Sequence, residues 1–164
     1  MRNNQAIKEE TDTMPHVLVS IKGVTYGITC EHVDHICNIN EVTKVPKQAP
    51  HVLGVINYNG RILPLMELRT LFGIPTQQEE LGENEELHEI QVVIESPQGS
   101  YALVVDKVIG IENLTKPIPG AKKAHYVSEY YARESDPDDI VLAVDLERLF
   151  DGKTVDKKPQ RKSK

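Results

Sequence analysis

Apolar residues along this chain come in short runs or alternate with polar ones, and Gly, Pro and Asn interrupt them at the spacing of an all-β barrel or sandwich. Helical segments are few and brief. Residues 16–22 and 24–29 read as two strands joined at Lys22-Gly23, where glycine supplies the positive φ that a tight hairpin turn demands. After Cys30 comes Val33-Asp34-His35-Ile36-Cys37. Val33 and Ile36 either share a helical face or begin a further strand, and periodicity leaves both open.

The signal sharpens between Gly54 and Met66. Asn59-Gly60 separates two apolar runs, 54–58 and 61–66, and Asn-Gly in that setting marks a type I′ hairpin. Pro64 has no amide hydrogen for a ladder, so its strand is expected at an edge or with a bulge at that point. Leu68, Leu71 and Phe72 then fall on one helical face, and Gly73 and Pro75 end that helix. Residues 76–89 are rich in glutamate and poor in apolar side chains, which predicts an exposed acidic loop and the best internal boundary. Strands resume at 90–95, turn through Pro97-Gln98-Gly99 and continue over 101–111, followed by a Pro/Gly loop over 114–123. Residues 125–132 and 140–144 read as two more strands around the polar stretch 133–139. Asp145 is placed to cap a last helical turn with its carboxylate.

Each half thus offers about five strands, similar in number and without a visible repeat in sequence. The expected organisation is a flexible N-terminus (1–14), one domain over 15–152 and a disordered basic tail (153–164). Within the domain, the first barrel is expected mainly over 16–75, the second mainly over 89–145, and a closing helix over 145–150. Barrels this small fill their interior with side chains, so their outer faces and the groove between them are the candidate functional surface.

The net charge of −6 is uneven: residues 153–164 hold six Lys/Arg against one Asp, a net of +5, which leaves −11 on the rest. A body that acidic repels nucleic acid phosphates, and the tail has no aromatic on which a base would stack. No apolar run approaches the roughly 20 residues that cross a bilayer, and the chain opens without a basic start followed by an apolar stretch, so a cytoplasmic protein is expected. Cys30 and Cys37 fit ordinary thiols of a reducing compartment.

Catalytic and metal chemistry finds little footing. Cys30, His32, His35 and Cys37 lie within eight residues, whereas zinc sites draw ligand pairs across a longer loop, and on a strand the first two would point away from the last two. Asp151-Gly152-Lys153-Thr154 resembles the end of a phosphate loop, but Glu147 stands where that loop needs its first glycine. Asp136-Pro137-Asp138-Asp139 lacks the glycine and closing glutamate of a calcium loop and reads as turn chemistry. No nucleophile elbow or kinase signature is present. The expectation is therefore no enzyme, no cofactor and no metal, and a surface that docks other proteins. A single-strand nucleic-acid-binding barrel also accounts for small β-barrels, but the acidic body and the scarcity of aromatics speak against it.

Residues 53–69, Leu-Gly-Val-Ile-Asn-Tyr-Asn-Gly-Arg-Ile-Leu-Pro-Leu-Met-Glu-Leu-Arg, closely resemble the signature of CheW-like chemotaxis coupling domains. Residues 103–111 are similar to that family's second landmark and residues 144–150 to its closing helix, so the resemblance runs from about His16 to Phe150. It implies two five-stranded, SH3-like β-barrel subdomains. It also implies an adaptor that couples the cytoplasmic tip of a methyl-accepting chemoreceptor to the regulatory domain of the histidine kinase CheA, at receptor arrays on the inner membrane. A CheW-like scaffold of surface motility or a second-messenger pathway is the alternative. The partner-binding positions implied are Val33, His35, Ile36, Gly54, Asn59, Gly60, Arg61, Ile62, Val105 and Ile111. Three positions depart from the family pattern: Asn59 stands for the usual Arg, His35 for the usual Glu, and Tyr130-Tyr131-Ala132 replaces a glycine. Arg61 carries a positive charge one position along.

Overall fold

The computed structural model describes residues 14–38, 41–46, 49–71, 90–120 and 122–149. The segments read as an acidic loop (76–89) and a basic tail (153–164), the first 13 residues, and Phe72, Gly73, Pro75 and Phe150 lie outside the described residues. The strands are β1 (Pro15–Ile21), β2 (Val24–Thr29), β3 (Val33–Cys37), β4 (Val52–Tyr58), β5 (Arg61–Glu67), β6 (Ile90–Ser96), β7 (Gly99–Val105), β8 (Lys107–Asn113), β9 (Val127–Ala132) and β10 (Ile140–Val144). One short helix, α1 (Leu68–Leu71), follows β5, and a 3-10 turn (Cys30–His32) precedes β3.

The hairpin turns form where the sequence places them. Lys22 and Gly23 take φ of 51° and 81°, and Asn59 and Gly60 take 54° and 84°, the paired positive values of a type I′ turn. Asn57 Oδ1 accepts the Gly60 N–H at 2.9 Å and fixes the second turn. Asp145 also does what its position suggests, its Oδ1 accepting the amides of Glu147 and Arg148 at 3.1 and 3.2 Å. What it caps is a hydrogen-bonded turn over 146–149 and not the expected helix. Within the described residues its backbone bond is of the 3-10 type, Arg148 N–H to Asp145 C=O at 3.1 Å.

The strands make two five-stranded sheets, β8-β1-β2-β10-β9 and β3-β6-β7-β5-β4. This corrects the assignment of one barrel to 16–75 and the other to 89–145. The β1–β2 hairpin joins β8, β9 and β10, while the β6–β7 hairpin joins β3, β4 and β5. Local patterning defines strands, but their partners are chosen by which apolar faces bury each other. Pro64 is also not on an edge strand, since β5 lies between β7 and β4. Its parallel ladder to β7 begins only at Leu65, opposite Ala102, so Pro64 sits before the stretch in which β5 is flanked on both sides.

Burial explains the stacking. Val17, Val19 and Ile21 on β1, Tyr26 and Ile28 on β2, Val92 and Ile94 on β6, and Tyr101, Leu103 and Val105 on β7 form one large cluster with Met66, Leu68, Val144, Leu146 and Leu149. That cluster is the core shared by the two sheets. The opposite faces carry smaller cores, Ile56, Leu63, Leu65, Val93 and Ala102 on one sheet and Leu18, Leu114, Val141 and Ala143 on the other.

Gly54 belongs to this packing. The pair Thr43 and Val55 exchange both backbone hydrogen bonds, at 2.9 and 2.8 Å, which draws the 41–46 segment onto β4. A Cβ on Gly54 would lie 2.5 Å from Thr43 O. Gly54 is buried, which removes it from the expected partner-binding surface. Gly54→Ala is predicted to destabilise the fold by about 1–3 kcal/mol, in the range of overpacking. Thermal unfolding of the variant beside the parent checks this, and an unchanged melting temperature contradicts the close approach.

Candidate docking surface

Directly paired residues of a β-ladder point to the same face, so the register assigns every exposed apolar side chain to one. On β3, Val33 pairs with Ile94, His35 with Val93 and Ile36 with Val92. The register shift between Val33 and His35 is a bulge. It resolves the ambiguity of this segment: with one extra residue, Val33 and Ile36 point together toward the shared core although they are three apart on a strand. Val33 packs partly buried against that core, and Ile36 stands at its margin, 37% exposed.

Ile62 follows the same logic. Its neighbour Leu63 faces the smaller core and Met66, four residues along β5, faces the shared one, so Ile62 is on the shared-core face, yet it is 62% exposed. Ile111 pairs with Val17 of the shared core and is 63% exposed. Val24, paired with Ile21, and Ile140, next to Val141 of the smaller core, are exposed on the matching face of the other sheet. The shared core is thus edged by apolar side chains from both sheets that reach solvent. Sequence reasoning identified Ile36, Ile62 and Ile111 and missed Val24 and Ile140, whose only local sign was an aliphatic residue at the polar start of a strand.

Val105 is corrected. It is fully buried in the shared core, because β7 is an inner strand and residues 101, 103 and 105 all face inward. The slip that matters here is one residue, which exchanges faces.

The other expected positions gather at one end of the sheet, around Tyr58. Tyr58 OH donates to Asp34 Oδ2 at 2.9 Å. The His35 ring lies 5.8 Å from the Tyr58 ring, and the Arg61 guanidinium lies 5.9 Å from its centre. Arg61 also bonds Glu95, which accepts a further bond from Ser100 Oγ. Through Tyr58 the fold brings His35, Asn59, Gly60 and Arg61 together, with the edge strands β3 and β4 linked by side chains. Partial burial and the Asp34 bond push the Tyr58 phenol up, and the Arg61 bond holds Glu95 below the usual carboxylate range. Arg61 is therefore a cation already engaged by its own sheet.

A second clasp closes the other sheet. Arg133 Nε meets Glu112 Oε2 at 3.0 Å and its Nη1 meets Asp139 Oδ2 at 3.2 Å. Ser135 Oγ donates to Glu112 at 2.7 Å, and Thr25 Oγ1 donates to Asp139 at 3.1 Å. The Ser135 and Arg133 bonds hold Glu112 below its ordinary value.

The Cys/His series does not converge. Cys37 Sγ lies 3.8 Å from Gln91 O, His35 is against Tyr58 and His32 is beside Glu31. Among the described residues no three His, Cys, Asp or Glu side chains are placed to hold a metal ion, and no helix is long and apolar enough to cross a membrane.

A family model for the CheW-like domain matches residues 15–154 of this chain. The chain belongs to the CheW-like domain family. Chemotaxis protein CheW of Thermotoga maritima is 26% identical over 86 residues, 52% of this chain and 52% of that protein, so the match spans about half the length of the relative. The crystal structure of scaffolding protein TtCheW from Thermoanaerobacter tengcongensis superposes with a TM-score of 0.69 at 20% identity, covering 88% of this chain and 97% of that one. The two sheets are thus the two SH3-like subdomains of the CheW fold.

The clasps make stability pH-dependent with a definite sign. Glu95 and Glu112 are held below their ordinary 4.5 and His16, by burial, below 6.5. In all three the unfolded chain binds the proton first on acidification, so stability falls as pH drops. The His16 contribution is lost from about pH 6.5 downward and the carboxylate contributions from about pH 4.5 downward. Glu112→Gln is predicted to flatten the lower limb of a denaturation-versus-pH series. A limb as steep as the parent's contradicts the clasp.

Proposed function

We propose that this protein is a non-enzymatic adaptor that couples methyl-accepting chemoreceptors to a CheA-type histidine kinase in chemotaxis, working in the cytoplasm at receptor arrays. Membership of the CheW-like family supports the reading, as do relatives named for chemotaxis and scaffolding. The observation that carries it is physical: large aliphatic side chains on both sheets stay exposed along the margins of the shared core, while the charged groups nearby are bonded to one another. Such a surface gains by burying apolar area against a partner and has little unpaired charge to desolvate. The kinase regulatory domain is assigned to the β3–β5 side, with Ile36 and Ile62 as anchors and His35, Asn59, Gly60 and Arg61 as its polar rim. The receptor tip is assigned to the β8 side, where Ile111 is exposed.

Two departures at the rim, His35 and Asn59, set specificity in this reading, since rim charges choose partners more than they add affinity. A titration of the full chain against a CheA regulatory domain and a chemoreceptor tip from the same organism is expected to give a complex with each. Folded protein that binds neither overturns the proposal. Ile62→Asp is predicted to weaken kinase docking at least tenfold, or about 1.4 kcal/mol, with unchanged melting, because the new charge on a side chain 62% exposed is desolvated mainly in the complex. Ile36→Asp weakens docking as well and also lowers melting, since Ile36 is only 37% exposed. Val105→Asp is the contrast: it places a charge in the shared core and should unfold the chain.

A further inference from the structure

One charge at the end of β3 has no counter-ion. Tyr58 OH donates to Asp34 Oδ2 at 2.9 Å, a bond that satisfies an oxygen and brings no cation. Arg61 bonds Glu95 and lies over the Tyr58 ring, and it also feels the Asp34 carboxylate. One guanidinium thus faces two carboxylates. Among the described residues no Lys or Arg forms an ion pair with Asp34.

The bulge between Val33 and His35 brings a histidine to the same place. Neighbours on a regular strand point to opposite faces, but here Asp34 and His35 both reach Tyr58, the first by its hydrogen bond and the second by a ring contact at 5.8 Å. Both are exposed. Across the ladder from His35 stands Val93, apolar and buried. On its own strand, Cys37 is directed to Gln91 O, and in the preceding 3-10 turn His32 and Glu31 lie 3.6 Å apart and face each other. The charges that His35 meets are therefore those of Asp34 beside it and of Arg61 and Glu95 beyond Tyr58. With a neutral imidazole these three sum to −1, and with a protonated one the group is neutral. Histidine is the side chain whose charge changes near neutral pH.

Taking the adaptor reading as its basis, we propose that the kinase-docking rim receives a basic side chain, Lys or Arg, against Asp34, and that a proton on His35 opposes it, so docking on this side weakens as pH falls. Ile36, next in the chain to His35, and Ile62, next to Arg61, supply the apolar contact, and the incoming cation supplies the counter-ion that the sheet does not. A proton and the partner's cation compete for one carboxylate. The rim is exposed and screened by salt, so the competition is modest in size. An acidic partner residue at this position would give the opposite slope, with docking that tightens on acidification.

The test is a titration of the full chain with a CheA-type kinase regulatory domain at low salt, at about pH 8 and about pH 6. Affinity is expected to be roughly three- to tenfold weaker at the lower pH. His35→Gln should bind equally at both, close to the parent at the higher pH, which separates His35 from any group that titrates on the partner. Asp34→Asn keeps an acceptor for Tyr58 OH and removes the charge, and should weaken docking at the higher pH by a similar factor. Affinity that rises on acidification, a pH dependence that survives in His35→Gln, or unchanged binding by Asp34→Asn overturns the proposal. A complex with no pH dependence removes this inference alone, whereas no complex at either pH removes the adaptor reading beneath it.

Discussion

Burial of the inner faces of two sheets against each other is the constraint from which the rest of this molecule follows. Fifteen buried residues drawn from β1, β2, β5, β6, β7, β10 and the two segments that follow β5 and β10 make one apolar cluster. At roughly 25 cal/mol for each Å² removed from water, such a cluster outweighs any single polar contact at the surface. It fixes the register of every strand that contributes, because a slip of one residue would turn the whole set toward solvent. It also explains why the sheets draw strands from both halves of the chain: a hairpin of one half and a trio of the other present complementary faces.

Docking chemistry is a by-product of where that core ends. Apolar side chains that continue its face beyond the area the sheets can cover stay in water, and Ile36, Ile62, Ile111, Val24 and Ile140 are those side chains. Charged groups near them are tied up locally, Arg61 by Glu95 and Arg133 by Glu112 and Asp139. The Tyr58–Asp34 bond between β4 and β3, and the Arg133–Glu112 pair between the end of β9 and β8, link edge strands that backbone hydrogen bonds leave open, which limits unwanted strand addition. One set of interactions thus seals the sheets and leaves the aliphatic margins as the surface that a partner can bury.

Much of this was legible from local chemistry. Asn59-Gly60 and Lys22-Gly23 specify their turns through backbone conformation alone, and the strand 140–144 is bounded in sequence as in structure. The all-β class and about ten strands follow from the same punctuation, while the two five-stranded subdomains were what the family resemblance implied. What stayed hidden depends on distant partners. The exchange of hairpins between halves leaves no trace in alternation, and the bulge at Asp34 is visible only against β6. Exposure of Ile111 and burial of Val105 are decided by which strands flank them, since β8 is an edge and β7 is not.

The claim that the margins of the shared core are the docking surface is tested most directly by methyl spectroscopy of the isoleucine-labelled full chain, titrated with the kinase regulatory domain and then with the receptor tip. Shifts or broadening are expected at Ile36 and Ile62 with the first partner and at Ile111 with the second, while the buried Ile28, Ile56 and Ile94 hold their positions. Binding that leaves all the exposed isoleucine methyls unmoved would contradict the account.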